Sequence, residues 1–156
     1  MKKLSVFLIF LALGISAFSR ETKAGSMAAG FGPEWNMNSR HNFAGGIALG
    51  FDYNLPNYLA LGLTATGSSN FINFKVIEGT VLFRYYFQKT AYAGFFGQLD
   101  AGAFIIFEDD ELIPMPEIGL RLGYRQPLLS SFYIEPYGRL GYPFAFGIGF
   151  LAGVLF

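Results

Sequence analysis

The sequence predicts an all-β protein, a transmembrane antiparallel up-and-down β-barrel of about eight strands, and three observations lead there. Apolar residues recur at every second position through most of the chain, which is the side-chain period of an extended strand. The charges inside these alternating runs fall on one face only, as a strand exposed to lipid on its other face requires. Turn-forming residues punctuate the runs at intervals that suit tilted strands of roughly ten residues. Composition agrees, with 53% hydrophobic, 19% aromatic and only 14% charged residues, where a soluble domain carries about 25% charged. Lipid or an outsized core must take up that apolar surface. The 156 residues leave room for one domain, and the 20 glycines are spread along it instead of collecting in a linker.

The N-terminus reads as an export signal. Lys2 and Lys3 precede an apolar run from Leu4 to about Leu13, and Ala17-Phe18-Ser19 offers small residues at cleavage spacing. A signal peptide over residues 1–19 and a barrel over 20–156 are expected, because the apolar run falls short of the roughly 20 residues of a spanning helix. Cysteine is absent, which excludes a disulfide framework and a lipidated cysteine. Losing Lys2 and Lys3 takes the net charge from zero to −2, so the balance gives no reason to expect nucleic acid.

The strands follow in order. A first strand is expected around Met27 to Phe31. From Phe43 to Tyr53, Ile47, Leu49 and Phe51 oppose Gly46, Ala48, Gly50 and Asp52; from Leu59 to Ala65, leucines oppose Gly62 and Thr64. From Ile77 to Phe87, Ile77, Val81, Phe83 and Tyr85 oppose Glu78, Thr80, Arg84 and Tyr86. Ala93 to Phe107 carries Gln98 and Asp100 on its polar face. Glu117 to Arg125 is the clearest case, with Ile118, Leu120, Leu122 and Tyr124 alternating with Glu117, Arg121, Arg125 and glycines. Phe132 to Tyr142 repeats it, setting Tyr133, Glu135, Tyr137 and Arg139 against Ile134, Pro136, Leu140 and Tyr142. Phe146 to Phe156 completes about eight. Turns are expected at Pro33-Glu34, Leu55-Pro56-Asn57, Gly67 to Asn70, Gln88-Lys89-Thr90, Glu108 to Glu111 with Pro114 and Pro116, Gln126-Pro127, and Pro143.

Alternation alone does not say which face points in, so energetics must decide. A soluble exterior would be rich in lysine, yet beyond the signal segment only Lys23, Lys75 and Lys89 occur. The polar face is instead glycine, alanine and threonine beside arginine and carboxylates, which suits a narrow lumen. A charge at mid-membrane on the lipid face costs about 2 to 4 kcal/mol, so strand charges should all turn inward. The interior ion-pair network expected from parity comprises Asp52, Glu78, Asp100, Glu117 and Glu135 against Arg84, Arg121, Arg125 and Arg139. Glu117 should meet Arg139, and Glu135 should meet Arg121, with Asp100 reaching Arg121 from the other side. Aromatic girdles are expected from Phe51, Tyr53, Tyr85, Phe87, Tyr124 and Phe132 at one rim and Phe31, Phe43, Phe107, Tyr142 and Phe146 at the other.

The C-terminus is the most specific feature: Ile148, Phe150, Ala152, Val154 and Phe156 form one apolar face broken by Gly147, Gly149 and Gly153. This ending resembles the C-terminal targeting strand of bacterial outer-membrane barrels. With the signal and the strand count, the mature chain resembles the small OmpA/OmpX-type barrels, without the peptidoglycan-binding domain of OmpA. The resemblance implies residence in the bacterial outer membrane after passage through the periplasm. It also implies that the barrel-assembly machinery recognises Ile148, Phe150, Val154 and Phe156. A monomer in contact with outer-membrane lipid is expected.

Other chemistry is discounted. His41 with Ser39 and Glu34 offers the residue types of an acyl-transfer triad, but a solvated loop histidine explains it and no enzyme is expected. Glu108, Asp109, Asp110 and Glu111 lack the spacing and turn glycine of a calcium loop. No phosphate-cradling loop, zinc cluster or basic aromatic patch occurs, so neither cofactor nor metal is expected. The function expected is a structural or surface-interaction barrel with a closed lumen. The rival is a barrel passing a small apolar ligand or lipid, which Pro136 on an outward face would favour by removing a ladder hydrogen bond.

Overall fold

The computed structural model describes residues 24–37, 43–72, 74–88, 93–108, 111–128 and 131–156. The expected signal peptide over 1–19, and Ser39 and His41, lie outside them. Eight strands form: β1 (Met27–Met37), β2 (Ala44–Leu55), β3 (Leu59–Ser69), β4 (Phe74–Tyr86), β5 (Gly94–Glu108), β6 (Glu111–Leu128), β7 (Phe132–Tyr142) and β8 (Phe146–Leu155). Each pairs antiparallel with its sequence neighbours, and β8 closes on β1, so the sheet is a barrel without an edge. Phe156 seals the seam, its N–H donating to the Met27 carbonyl at 3.0 Å and its carbonyl accepting from Met27 N–H at 2.7 Å. The termini, the 3₁₀ turn Pro56–Tyr58 and the connections after β4 and β6 lie at one end, the termini end. The connections after β1, β3, β5 and β7 lie at the other, the loop end.

Side chains divide by parity. Ile47, Phe31 and Leu122 are 63 to 64% exposed on the outer wall, while Asp52, Glu78, Arg84, Asp100, Glu117, Arg121, Arg125, Glu135 and Arg139 are all buried inside. A wall of exposed leucine, isoleucine and phenylalanine around a charged interior inverts the soluble pattern and fits lipid outside. Phe43, Phe107, Tyr142 and Phe146 ring the loop end and Tyr53, Phe87 and Phe132 the termini end, all exposed. Phe31 does not join a rim. It sits mid-strand, opposite Leu49 and Ala152, and Trp35 takes the rim place because β1 runs on to Met37.

Four expected turns are strand. Pro33-Glu34 lies within β1, Gly67 to Ser69 within β3, and Pro114, Pro116 and Gln126-Pro127 within β6. The prolines share one physical reason: each stands where one flank of its strand has no ladder to lose. The β6–β7 register begins at Ile118↔Tyr142, so Pro114 and Pro116 pair with β5 alone. The β5–β6 register begins at Gly94↔Arg125, so Pro127 pairs with β7 alone. Pro33 pairs with Ile47 of β2, while the β1–β8 ladder skips Gly32 and Pro33. Pro136 pairs with Phe150 of β8, while the β6–β7 ladder skips Glu135 and Pro136.

Candidate functional site

The lumen holds two ion-paired layers, built because the inward positions of β1, β2 and β4 to β7 bring charges of both signs to matching heights. Toward the termini end, Arg125 of β6 clasps Asp52 of β2 through both terminal nitrogens, at 2.6 and 3.1 Å, and donates its Nε to Glu135 of β7 at 2.6 Å. Arg84 of β4 donates to both Glu135 oxygens, at 2.8 and 2.9 Å, and stands 3.6 Å from Asp52. Two arginines and two carboxylates from four strands therefore close a balanced square across the barrel. Aromatic faces line it: the Arg84 guanidinium lies 3.9 Å from the Phe96 ring centre and that of Arg125 lies 4.3 Å from Tyr133. Both rings need glycines beneath them. A Cβ at Gly153 would enter the Tyr133 ring, and one at Gly123 would stand 2.5 Å from Phe96.

Gln98 joins this square to the layer above, accepting from Arg84 Nε at 2.8 Å and donating to Asp100 at 2.6 Å. In the upper layer Arg139 of β7 donates to Glu34 at 2.7 Å, to Glu78 at 2.7 Å and to Glu117 at 2.9 Å. The Tyr137 hydroxyl and the Asn36 amide also donate to Glu34, at 2.6 and 2.8 Å. Arg121 is held more loosely, 3.4 Å from Asp100 and 3.9 Å from Glu34, with its guanidinium 4.4 Å from the Tyr137 ring centre. Four carboxylates (Glu34, Glu78, Asp100, Glu117) thus face two arginines, a formal excess of negative charge. Beyond this layer Ala44, Val76, Phe104 and Phe144 pack an apolar plug at the loop end.

The contacts differ from expectation at one place. Arg139 does reach Glu117 and Arg121 does approach Asp100, but Glu135 meets Arg84 and Arg125 instead of Arg121. The register explains it: Arg121 stands opposite Arg139, and Gln126↔Ile134 sets Glu135 at the height of Arg125. Glu34 was concealed from sequence reasoning by Pro33, which read as a turn. The outward series Phe31, Pro33, Trp35 carried the signal that would have sent Glu34 and Asn36 inward. Glu34 is fully buried on Arg139, so it is not available to Ser39 and His41 as a triad member. Glu108 and Glu111 are register partners at the ends of β5 and β6, and Asp109 and Asp110 lie outside the described residues. On β8, Ile148, Phe150 and Val154 face outward and Phe156 is 62% exposed.

No protein-family model and no curated protein matches the chain. Solved structures do. The outer membrane protein OprG of Pseudomonas aeruginosa superposes with a TM-score of 0.65 at 13% identity, over 87% of this chain and 98% of that one. The N-terminal β-barrel domain of Pseudomonas aeruginosa OprF gives 0.58 at 15% identity, over 86% and 98%. Neisserial surface protein A gives 0.58 at 14% identity, over 84% and 96%. At these identities the likeness concerns the fold, which is that of small eight-stranded outer-membrane barrels.

Proposed function

We propose that the chain is an outer-membrane protein whose barrel is closed by its own ion pairs and serves a structural or surface-interaction role, without enzymatic activity. The observation that carries this reading is the clasp of Arg84 and Arg125 by Asp52 and Glu135, which fills the cross-section with bonded side chains. Eight strands leave an interior only wide enough for side chains, so no continuous water column is expected. Export across the periplasm, recognition of β8 with Phe156 by the barrel-assembly machinery, and function as a monomer in outer-membrane lipid belong to the same reading. A closed sheet supports the last, since no strand edge is left for a second chain to extend. The test is twofold. The protein should fractionate with the outer membrane and migrate differently on gels when unboiled, and planar bilayers should show no steady, porin-sized current. A detergent-free soluble monomer sinks the membrane reading; steady current sinks the closed lumen.

A second reading, passage of a small apolar molecule, is favoured by the interruption at Pro136. There the β6–β7 ladder skips two residues on each strand beside a cavity of about 760 Å³ lined by Leu122, Tyr124, Pro136 and the lumen residues Phe96 and Tyr137. Amide exchange decides: if N–H groups flanking Pro136 are as protected as those of β3 and β4, the wall does not open there.

A further inference from the structure

We propose that the outer wall over β3 and β4 is a binding groove for one anionic phospholipid, its phosphate held by Lys75 and one acyl chain lying in the cleft below. The inference rests on the membrane reading above and adds a site to it. Among the described residues Lys75 is the only basic side chain on the outer wall; Arg84, Arg121, Arg125 and Arg139 are all buried in the lumen. Lys75 is exposed, and no ion pair holds it among the described residues.

Its place is interfacial. The register sets Trp35, Gly45, Ser69, Lys75 and Phe107 side by side across β1 to β5, one row at the loop end. A lysine in such a row costs about 0 to 1 kcal/mol, against about 2 to 4 at the midplane, and an anionic headgroup is the partner that depth supplies. Trp35 and Phe107 bracket it with rings suited to the headgroup level.

Directly below this row the wall loses its side chains. The next two rows read Ile47, Gly67, Ile77, Ile105 and Leu49, Ala65, Gly79, Ala103. A Cβ at Gly67 or at Gly79 would meet nothing within 4 Å, so their shared strip is open outward. The resulting cleft, about 1040 Å³ beside Lys75, runs on into a second of about 780 Å³ that ends near Val81 and Ala101, the two sharing Leu49 and Ala65. From Lys75 to Val81 is six residues, about 20 Å of strand at roughly 3.3 Å each. With a strand tilt of about 40° this descends about 15 Å, half of the roughly 30 Å hydrocarbon core. One cleft therefore spans one leaflet, with the charge at its head and apolar walls below. Small residues alone would describe only a thin wall; the lone lysine at the cleft's interfacial end gives the occupant its polarity and sign.

Trp35, the one tryptophan of the chain, borders the cleft and reports on it. The protein is reconstituted into phosphatidylcholine vesicles, with heat-modifiable mobility confirming insertion, and brominated phosphatidylglycerol or brominated phosphatidylcholine is titrated in while Trp35 quenching is read. A relative association about fivefold in favour of the anionic lipid is expected, the strength of one lysine at a charged surface. Lys75→Gln should bring the ratio to about one, and Gly79→Leu, which fills the floor, should weaken quenching by both lipids while leaving gel mobility unchanged. Equal quenching by both lipids in the unaltered protein, or a preference that survives Lys75→Gln, overturns the proposal. Inorganic phosphate abolishing the preference without displacing the chain would show a bare anion site and overturn it as well. Failure to insert would instead remove the membrane reading, and the groove with it.

Discussion

Arg125 has no accessible surface, yet it makes three hydrogen bonds to two carboxylates and packs against Tyr133, so little of its charge is left unanswered. Cutting such a group strands its partners. Removing one member of a buried pair costs about 3 to 5 kcal/mol, mostly for the charge left behind, whereas the pair itself adds little net stability. Arg125→Ala should therefore lower unfolding stability in lipid vesicles by about that amount, and Arg125→Ala with Asp52→Ala should lose less than the two single changes summed. Arg121 offers the contrast, because 3.4 and 3.9 Å to Asp100 and Glu34 bring it charge proximity without close hydrogen bonds. Urea titration of Arg121→Ala should show less than half the loss of Arg125→Ala, and equal losses would mean that the bonding geometry does not set the ranking. Gly149 tests the packing side, since a Cβ there would strike the Tyr137 ring and disturb its 2.6 Å bond to Glu34. Gly149→Val should cost about 1 to 3 kcal/mol by overpacking, measured in the same titration.

At the level of the strand, β8 combines three inward glycines with an outward apolar series that ends at Phe156, whose main chain bonds to Met27. Deleting Phe156 removes a ring that is largely exposed and adds little to packing. Stability of refolded barrel should change little, while pulse-chase fractionation should show the shortened chain exported but not inserted. Normal insertion would mean that recognition does not read that ring. The alternation was legible because one face meets lipid and the other a polar lumen, so β4, β6 and β7 sorted their residues correctly from parity alone. Strand ends were not legible, since Pro33, Pro114, Pro116 and Pro127 signal turns locally but sit harmlessly wherever a flank is unpaired. The network's members followed from parity, yet the partner of Glu135 did not. It depends on the β6–β7 register, and a shift of two residues keeps every side chain on its face while exchanging Arg121 for Arg125.

For the whole barrel, the two layers differ in charge and so predict different consequences of opening it. The square near the termini end is balanced, whereas the layer above sets Glu34, Glu78, Asp100 and Glu117 against Arg121 and Arg139 alone. An ion attempting passage must displace bonded side chains in the first and then cross a carboxylate-rich layer, and rings of carboxylates favour cations. Rare openings of the unaltered protein in planar bilayers should therefore be small and cation-selective. Arg139→Ala removes the side chain that binds Glu34, Glu78 and Glu117 together and deepens the negative excess, so it should raise both the frequency of openings and the cation preference. Arg84→Ala loosens the other layer, where Glu135 and Asp52 would still be held by Arg125, and should raise conductance with a smaller change in selectivity. Reversal potentials under a salt gradient separate the two variants. If Arg139→Ala conducts no more than the unaltered barrel, or favours anions, the carboxylate layer is not what a crossing ion meets and the apolar plug of Val76, Phe104 and Phe144 is the barrier instead.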